Sequence, residues 1–128
     1  MQNTIKLYRP VGKKELELIA ESDYKAYPPR LFWQPIFYPV MNFEYAAQIA
    51  KEWNTPSEFS GYCGFVTAFD IDADYVSKFD VQNVGGFEHN ELWVPAEELA
   101  EFNTHIVGRI EVLKAFYGDK YVGEKLKY

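Results

Sequence analysis

The chain has 128 residues, of which 48% are hydrophobic and 18% aromatic, and nineteen acidic against thirteen basic side chains give it a formal charge of -6. That length fits a single domain over residues 1–128 whose core needs no disulfide or metal, and the composition excludes a disordered chain. The acidic balance repels a phosphate backbone, which excludes broad electrostatic binding of nucleic acid but leaves room for a local basic cluster holding one small anion.

The opening "MQNTIKLYRPVG" has neither the apolar core nor the small-residue cleavage site of a signal peptide, and no apolar run approaches the roughly 20 residues that span a bilayer. A soluble, cytoplasmic protein with no membrane segment is expected. The lone cysteine, Cys63, rules out an internal disulfide and a cysteine-based zinc site, which fits a reducing compartment.

In "TIKLYR", residues 4–9, Ile5, Leu7 and Arg9 alternate with Lys6 and Tyr8, the period of a strand, and Pro10 and Gly12 are expected to close it. "KKELELIAES", residues 13–22, sets Leu16, Ile19 and Ala20 at helical spacing and predicts an amphipathic helix. The prolines of "AYPPRLFWQPIFYPV" forbid helix and leave two extended pieces, at 27–31 and 36–38. Asn42 then offers a helix cap, and Ala46, Ile49, Ala50 and Trp53 of "EYAAQIAKEW" make one apolar face.

After the polar loop "NTPSEFSG", the run "YCGFVTAFDI" alternates Phe65, Thr67, Phe69 and Ile71 against Gly64, Val66 and Ala68, which predicts a strand with Cys63 as a small buried residue. Asp72 should start a helical turn over "DADYVSKF". "DVQNV" and "ELWVP" read as strands joined across Gly85-Gly86, "AEELAEFN" as a short helix opened by Pro95, and "IVGRIEVLKAF" as a last strand. The order is that of a mixed α+β fold. His89 and His105 lack ligand spacing and a third partner, so no metal site is expected. "VGG" at 84–86 lacks the context of a dinucleotide fingerprint and reads as a turn.

Three polar residues stand at strand ends. Arg9 is either a surface or ion-paired arginine or a fork of donors for phosphate or ribose. Tyr38 is either a core aromatic or a flat face for a heteroaromatic ring. Glu91, at the mouth of the strand in "EHNELWVP", is either a solvated edge carboxylate or an acceptor for a sugar hydroxyl that stabilises a developing cation. Arg30, after Pro28-Pro29, is a second candidate phosphate contact on a stiffened loop.

The order "LYRPVG", "PIFYPVMNFEYAAQIA", "NELWVP" resembles the ADP-ribosyltransferase-like superfamily, whose members carry a basic residue, an aromatic or serine, and a glutamate on three successive strands. The resemblance covers most of the chain in order and spacing. It implies mostly antiparallel strands in a split sheet with short helices, and cleavage of the nicotinamide–ribose bond of NAD with transfer of ADP-ribose to an acceptor whose type stays open, a protein or nucleic acid among the candidates. In it Glu91 is the catalytic carboxylate, Tyr8, Arg9, Arg30, Tyr38 and Tyr45 surround NAD, and His89 lies on the acceptor side. Arg9, Tyr38 and Glu91 should then line one cleft. The chain departs from the family pattern at Pro10, where glycine is frequent, and at His89, where protein-modifying members commonly have Glu or Gln. The other reading is a non-catalytic module that binds a nucleotide or a protein on the same fold.

Overall fold

The computed structural model describes residues 3–83, 89–126 and 128. Strands β1 (Thr4–Val11), β3 (Cys63–Asp72) and β6 (Ile106–Tyr117) form one antiparallel sheet with β3 in the centre. Strands β2 (Ile36–Phe37), β5 (Asn90–Pro95) and β4 (Asp80–Asn83) form a second antiparallel sheet around β5. Helices α1 (Lys13–Glu21), α2 (Phe43–Ile49), α3 (Ala73–Val76) and α4 (Leu99–Thr104) are short, so the fold is α+β with two small antiparallel sheets. None of the described helices is long and apolar enough to cross a membrane.

The alternation read in the sequence becomes the two faces of β3, both buried because the strand is central. Leu7 and Val11 stand opposite Phe69 and Phe65 and share the main core with Leu16, Ile19, Phe37 and Phe102. On the other face Val66 packs with Val40, Tyr45, Ala46 and Ala50 beneath α2. Asn42 caps α2 as expected, its Oδ1 accepting from the Tyr45 N–H at 2.7 Å, and Asp72 caps α3 through the Asp74 N–H.

Four local expectations are corrected. Pro10 does not end β1, which runs on to Val11. Tyr8 gives and receives backbone bonds with Val40, at 3.0 and 2.7 Å, so the Pro10 nitrogen two residues on faces the same side. The missing N–H therefore costs nothing toward β3 and stops pairing toward β2. Ala20 is exposed although Leu16 and Ile19 are buried. Trp53 is 70% exposed because α2 continues as a π-helical turn (Ala50–Asn54), whose wider turn swings residue 53 off the apolar face. Residues 27–31 join no strand. The Asn103 side chain takes the place of a strand there, accepting from the Tyr27 N–H at 2.9 Å and donating to its carbonyl at 3.0 Å. The expected Gly85-Gly86 turn lies outside the described residues, although the strands flanking it do pair, Asn83 opposite Asn90.

The two sheets meet at Val40, which bridges Tyr8 on one side and Glu91 on the other. Flanking bonds from Met41 N to Asn90 O and from Leu92 N to Pro39 O, at 3.1 and 2.9 Å, fasten this segment to β5. The π-helical turn rests on β3 at Gly64, where an added Cβ would come within 2.6 Å of the Ala50 carbonyl oxygen. Gly64→Ala is accordingly expected to cost about 1–3 kcal/mol in urea unfolding; wild-type stability would mean that the turn is not pressed against the strand.

Candidate functional site

Beyond the Tyr8–Val40 bridge β1 and β2 no longer pair, and a cleft of about 510 Å³ opens there, lined in part by Arg9, Lys14, Glu15, Arg30 and Tyr38. Arg9 is 5% exposed and is held in two-pronged fashion by Glu15, Nε to Oε2 at 2.7 Å and Nη2 to Oε1 at 3.1 Å. Burial works against its charge, but the attraction and hydrogen bonds of Glu15 more than offset it and hold the guanidinium above its ordinary pKa. Its guanidinium carbon lies 4.8 Å from the Phe37 ring centroid and 5.6 Å from that of Tyr38.

Arg30 reaches the same tyrosine, 5.9 Å from the ring centroid, and donates from Nε to the Ile36 carbonyl at 3.1 Å. Burial, then the positive charge of Arg9, pulls its pKa down from the ordinary value. Among the lining residues Arg9, Lys14 and Arg30 face Glu15, three cations against one carboxylate, so the cleft carries a surplus of two positive charges.

Glu91 belongs to a second cluster. Glu91 sits opposite Val40, itself opposite Tyr8, so all three share one sheet face, and the next residue along β1, Arg9, points to the other. The Glu91 side chain is 8% exposed. Its Oε2 accepts from the Tyr45 hydroxyl at 2.7 Å, and its Oε1 accepts from the Trp93 indole N–H at 3.1 Å. His89 stacks on Tyr45, centroids 4.4 Å apart, with its Nε2 3.1 Å from Gln48 Oε1.

Tyr38 adjoins both clusters. The pairings Phe37 with Val94 and Val40 with Glu91 keep one register, which sets Tyr38 across from Trp93, each 40% exposed. The expected single cleft thus gathers Arg9, Arg30 and Tyr38, while Glu91 is not among its lining residues. Tyr45 and His89 lie with Glu91, and Tyr8 packs edge-on against Phe43, outside the cleft lining.

Cys63 is buried, as its place in the alternating strand implies. His105 stacks on Tyr75 at 3.7 Å, with Asp72 and Glu101 at 4.0 and 3.8 Å, and shares none of these contacts with His89. The sequence reading did not single out Lys14, Glu15, Gln48 or Trp93. A signal existed for two of them. Glu91 and Trp93 are spaced two apart on one strand, with His89 two further back just before it, and Tyr45 and Gln48 three apart on one helix, so each set has the spacing of a shared face. No family model, curated protein or solved structure matches the chain.

Burial raises the phenols of Tyr27, Tyr45 and Tyr75 above the ordinary value of 10.0, with hydrogen bonds from Tyr45 to Glu91 and from Tyr75 to Glu98 adding to it. An unfolded chain ionises these groups near that value and the folded chain does not. Their contribution to stability is therefore complete below about pH 10 and is lost as pH rises beyond it. In an alkaline absorbance titration, three of the ten tyrosines should stay un-ionised near pH 11 until the protein unfolds. Ionisation of all ten with circular dichroism still native would contradict this burial.

Proposed function

We propose that the chain is an ADP-ribosyltransferase-like protein that binds NAD in the cleft between its two sheets and transfers ADP-ribose to an acceptor. The observation that carries the reading is the charge of the cleft: on a protein of formal charge -6, three cations and one carboxylate line the cleft at the divergence of β1 and β2. Such a surplus fits a phosphate-bearing ligand. Arg30, with a backbone carbonyl as the partner of its Nε, has further N–H donors for a pyrophosphate, and Lys14 adds a point charge. Arg9 is already matched by Glu15 and acts as the fixed wall against which Tyr38 rests.

In this reading the nicotinamide–ribose bond breaks with its electron pair returning to the ring nitrogen, so the ring leaves neutral. The acceptor then bonds to the ribose carbon and gives up its proton. An oxocarbenium-like transition state gains from a carboxylate close to the ribose 2-hydroxyl. Glu91, one bridged residue from the point where the cleft opens, takes that task in this reading, although it does not itself line the cleft.

A second reading, a non-catalytic module that binds a nucleotide or a protein, is favoured by one feature: both oxygens of Glu91 already accept hydrogen bonds and Glu91 does not line the cleft. Calorimetry and a nicotinamide-release assay separate the two. The transferase reading expects NAD to bind, Arg30→Ala to weaken binding about tenfold, or 1.4 kcal/mol, and Glu91→Gln to slow release about a hundredfold with affinity retained. Binding without release at any acceptor, water included, leaves the module; no binding removes both NAD readings.

A further inference from the structure

We infer that Trp93 and Tyr45 are positioning residues that fix the Glu91 carboxylate, with the His89–Gln48 pair holding Tyr45 in place; the inference rests on the transferase reading for its effect on rate. Glu91 and Trp93 lie two apart on β5 and share one face, and His89, immediately before the strand, continues the same spacing. The indole of Trp93 reaches back along its own strand to Oε1 of Glu91 at 3.1 Å. From α2 the Tyr45 hydroxyl reaches Oε2 at 2.7 Å. Two donors on rigid rings, one to each oxygen, set both the plane and the direction of the carboxylate before any ligand arrives.

Each donor is itself held. Tyr45 occupies the first turn of α2, where its backbone N–H is tied to the Asn42 cap, and its ring is covered by the parallel ring of His89, 18° from coplanar. Gln48, one turn further along α2, meets the His89 Nε2 at 3.1 Å. On the other flank the register sets Trp93 across from Tyr38, whose ring lines the cleft. The clamp also divides the charges: Arg9 is paired with Glu15 on the opposite sheet face, and Glu91 is held by neutral donors. A carboxylate fixed by neutral donors is oriented in advance toward a cation that develops during reaction.

The test joins spectroscopy with kinetics. The chain has three tryptophans, all exposed and Trp93 the least so at 40%, so three indole N–H resonances are expected, and that of Trp93, which is bonded to Glu91, should exchange slowest with solvent. Glu91→Gln should move the Trp93 signal, and Glu91→Ala should move it further and speed its exchange. A Trp93 indole indifferent to both substitutions overturns the clamp. In nicotinamide release, Trp93→Phe and Tyr45→Phe, which keep the rings, should each lower kcat about tenfold with KM for NAD within about twofold. Adding Trp93→Phe to Glu91→Gln should lower kcat no further, because its effect passes through the carboxylate; a purely structural role would give additive losses. Wild-type turnover with unchanged kcat in both phenylalanine variants removes the positioning role alone. Absence of wild-type turnover beside an intact indole signal removes the reaction itself, and the positioning role with it.

Discussion

The arrangement depends on one backbone contact, the fully buried Val40, which bridges Tyr8 of the first sheet and Glu91 of the second. On the β5 side pairing continues to Ile36 opposite Pro95. On the β1 side it stops after a single residue, because Pro10 brings no N–H to the position where the next pair of bonds would form. Had β1 and β2 zipped fully, Arg9 and Tyr38 would lie in a closed sheet with no room for a ligand. The proline is thus a structural cause of the cleft.

Charge follows from the same geometry. Arg9 projects into the main core face at the divergence and is almost fully buried, a position that would be costly without Glu15 across the Gly12 corner. Their two-pronged pair satisfies Arg9 and removes it as a free cation. Arg30, brought in by the proline-braced loop and fixed to the Ile36 carbonyl, then supplies positive charge in a cleft whose lining carboxylate, Glu15, is already bonded to Arg9. The apposition of the two guanidiniums on Tyr38 explains the lowered pKa of Arg30, in which burial dominates and Arg9 adds repulsion. An anion entering the cleft would relieve that repulsion.

Much of the fold was legible in the sequence because the signals were local: the alternation of β1 and β3, the Asn42 cap of α2, the Asp72 turn, and the helix after Pro95. What could not be read depended on contacts between distant segments. The π-helical turn that exposes Trp53 exists against β3, with Gly64 making room for it, and the segment at Tyr27 is held by Asn103, 76 residues away. At the site, residue type pointed to Arg9, Arg30, Tyr38 and Glu91, but strand parity decided which of them share a surface. Counting from Tyr8 puts Arg9 and Glu91 on opposite faces, and that count requires the bridge at Val40, which no sequence pattern announces. The Glu15 partner of Arg9 was hidden for the same reason, since a turn at Gly12 folds α1 back across the strand end.

The central claim is that the divergence of β1 and β2 makes an anion-binding cleft walled by Arg9, Arg30 and Tyr38. It is tested most directly by following amide and arginine side-chain resonances while ADP-ribose is added. The account predicts saturable shifts at Arg9, Gly12, Lys14, Arg30, Leu31 and Tyr38, with the Arg30 side chain among the largest. Shifts confined to other surfaces, such as the Leu113–Tyr117 end of β6, with the cleft signals unmoved at saturating ligand, would contradict it.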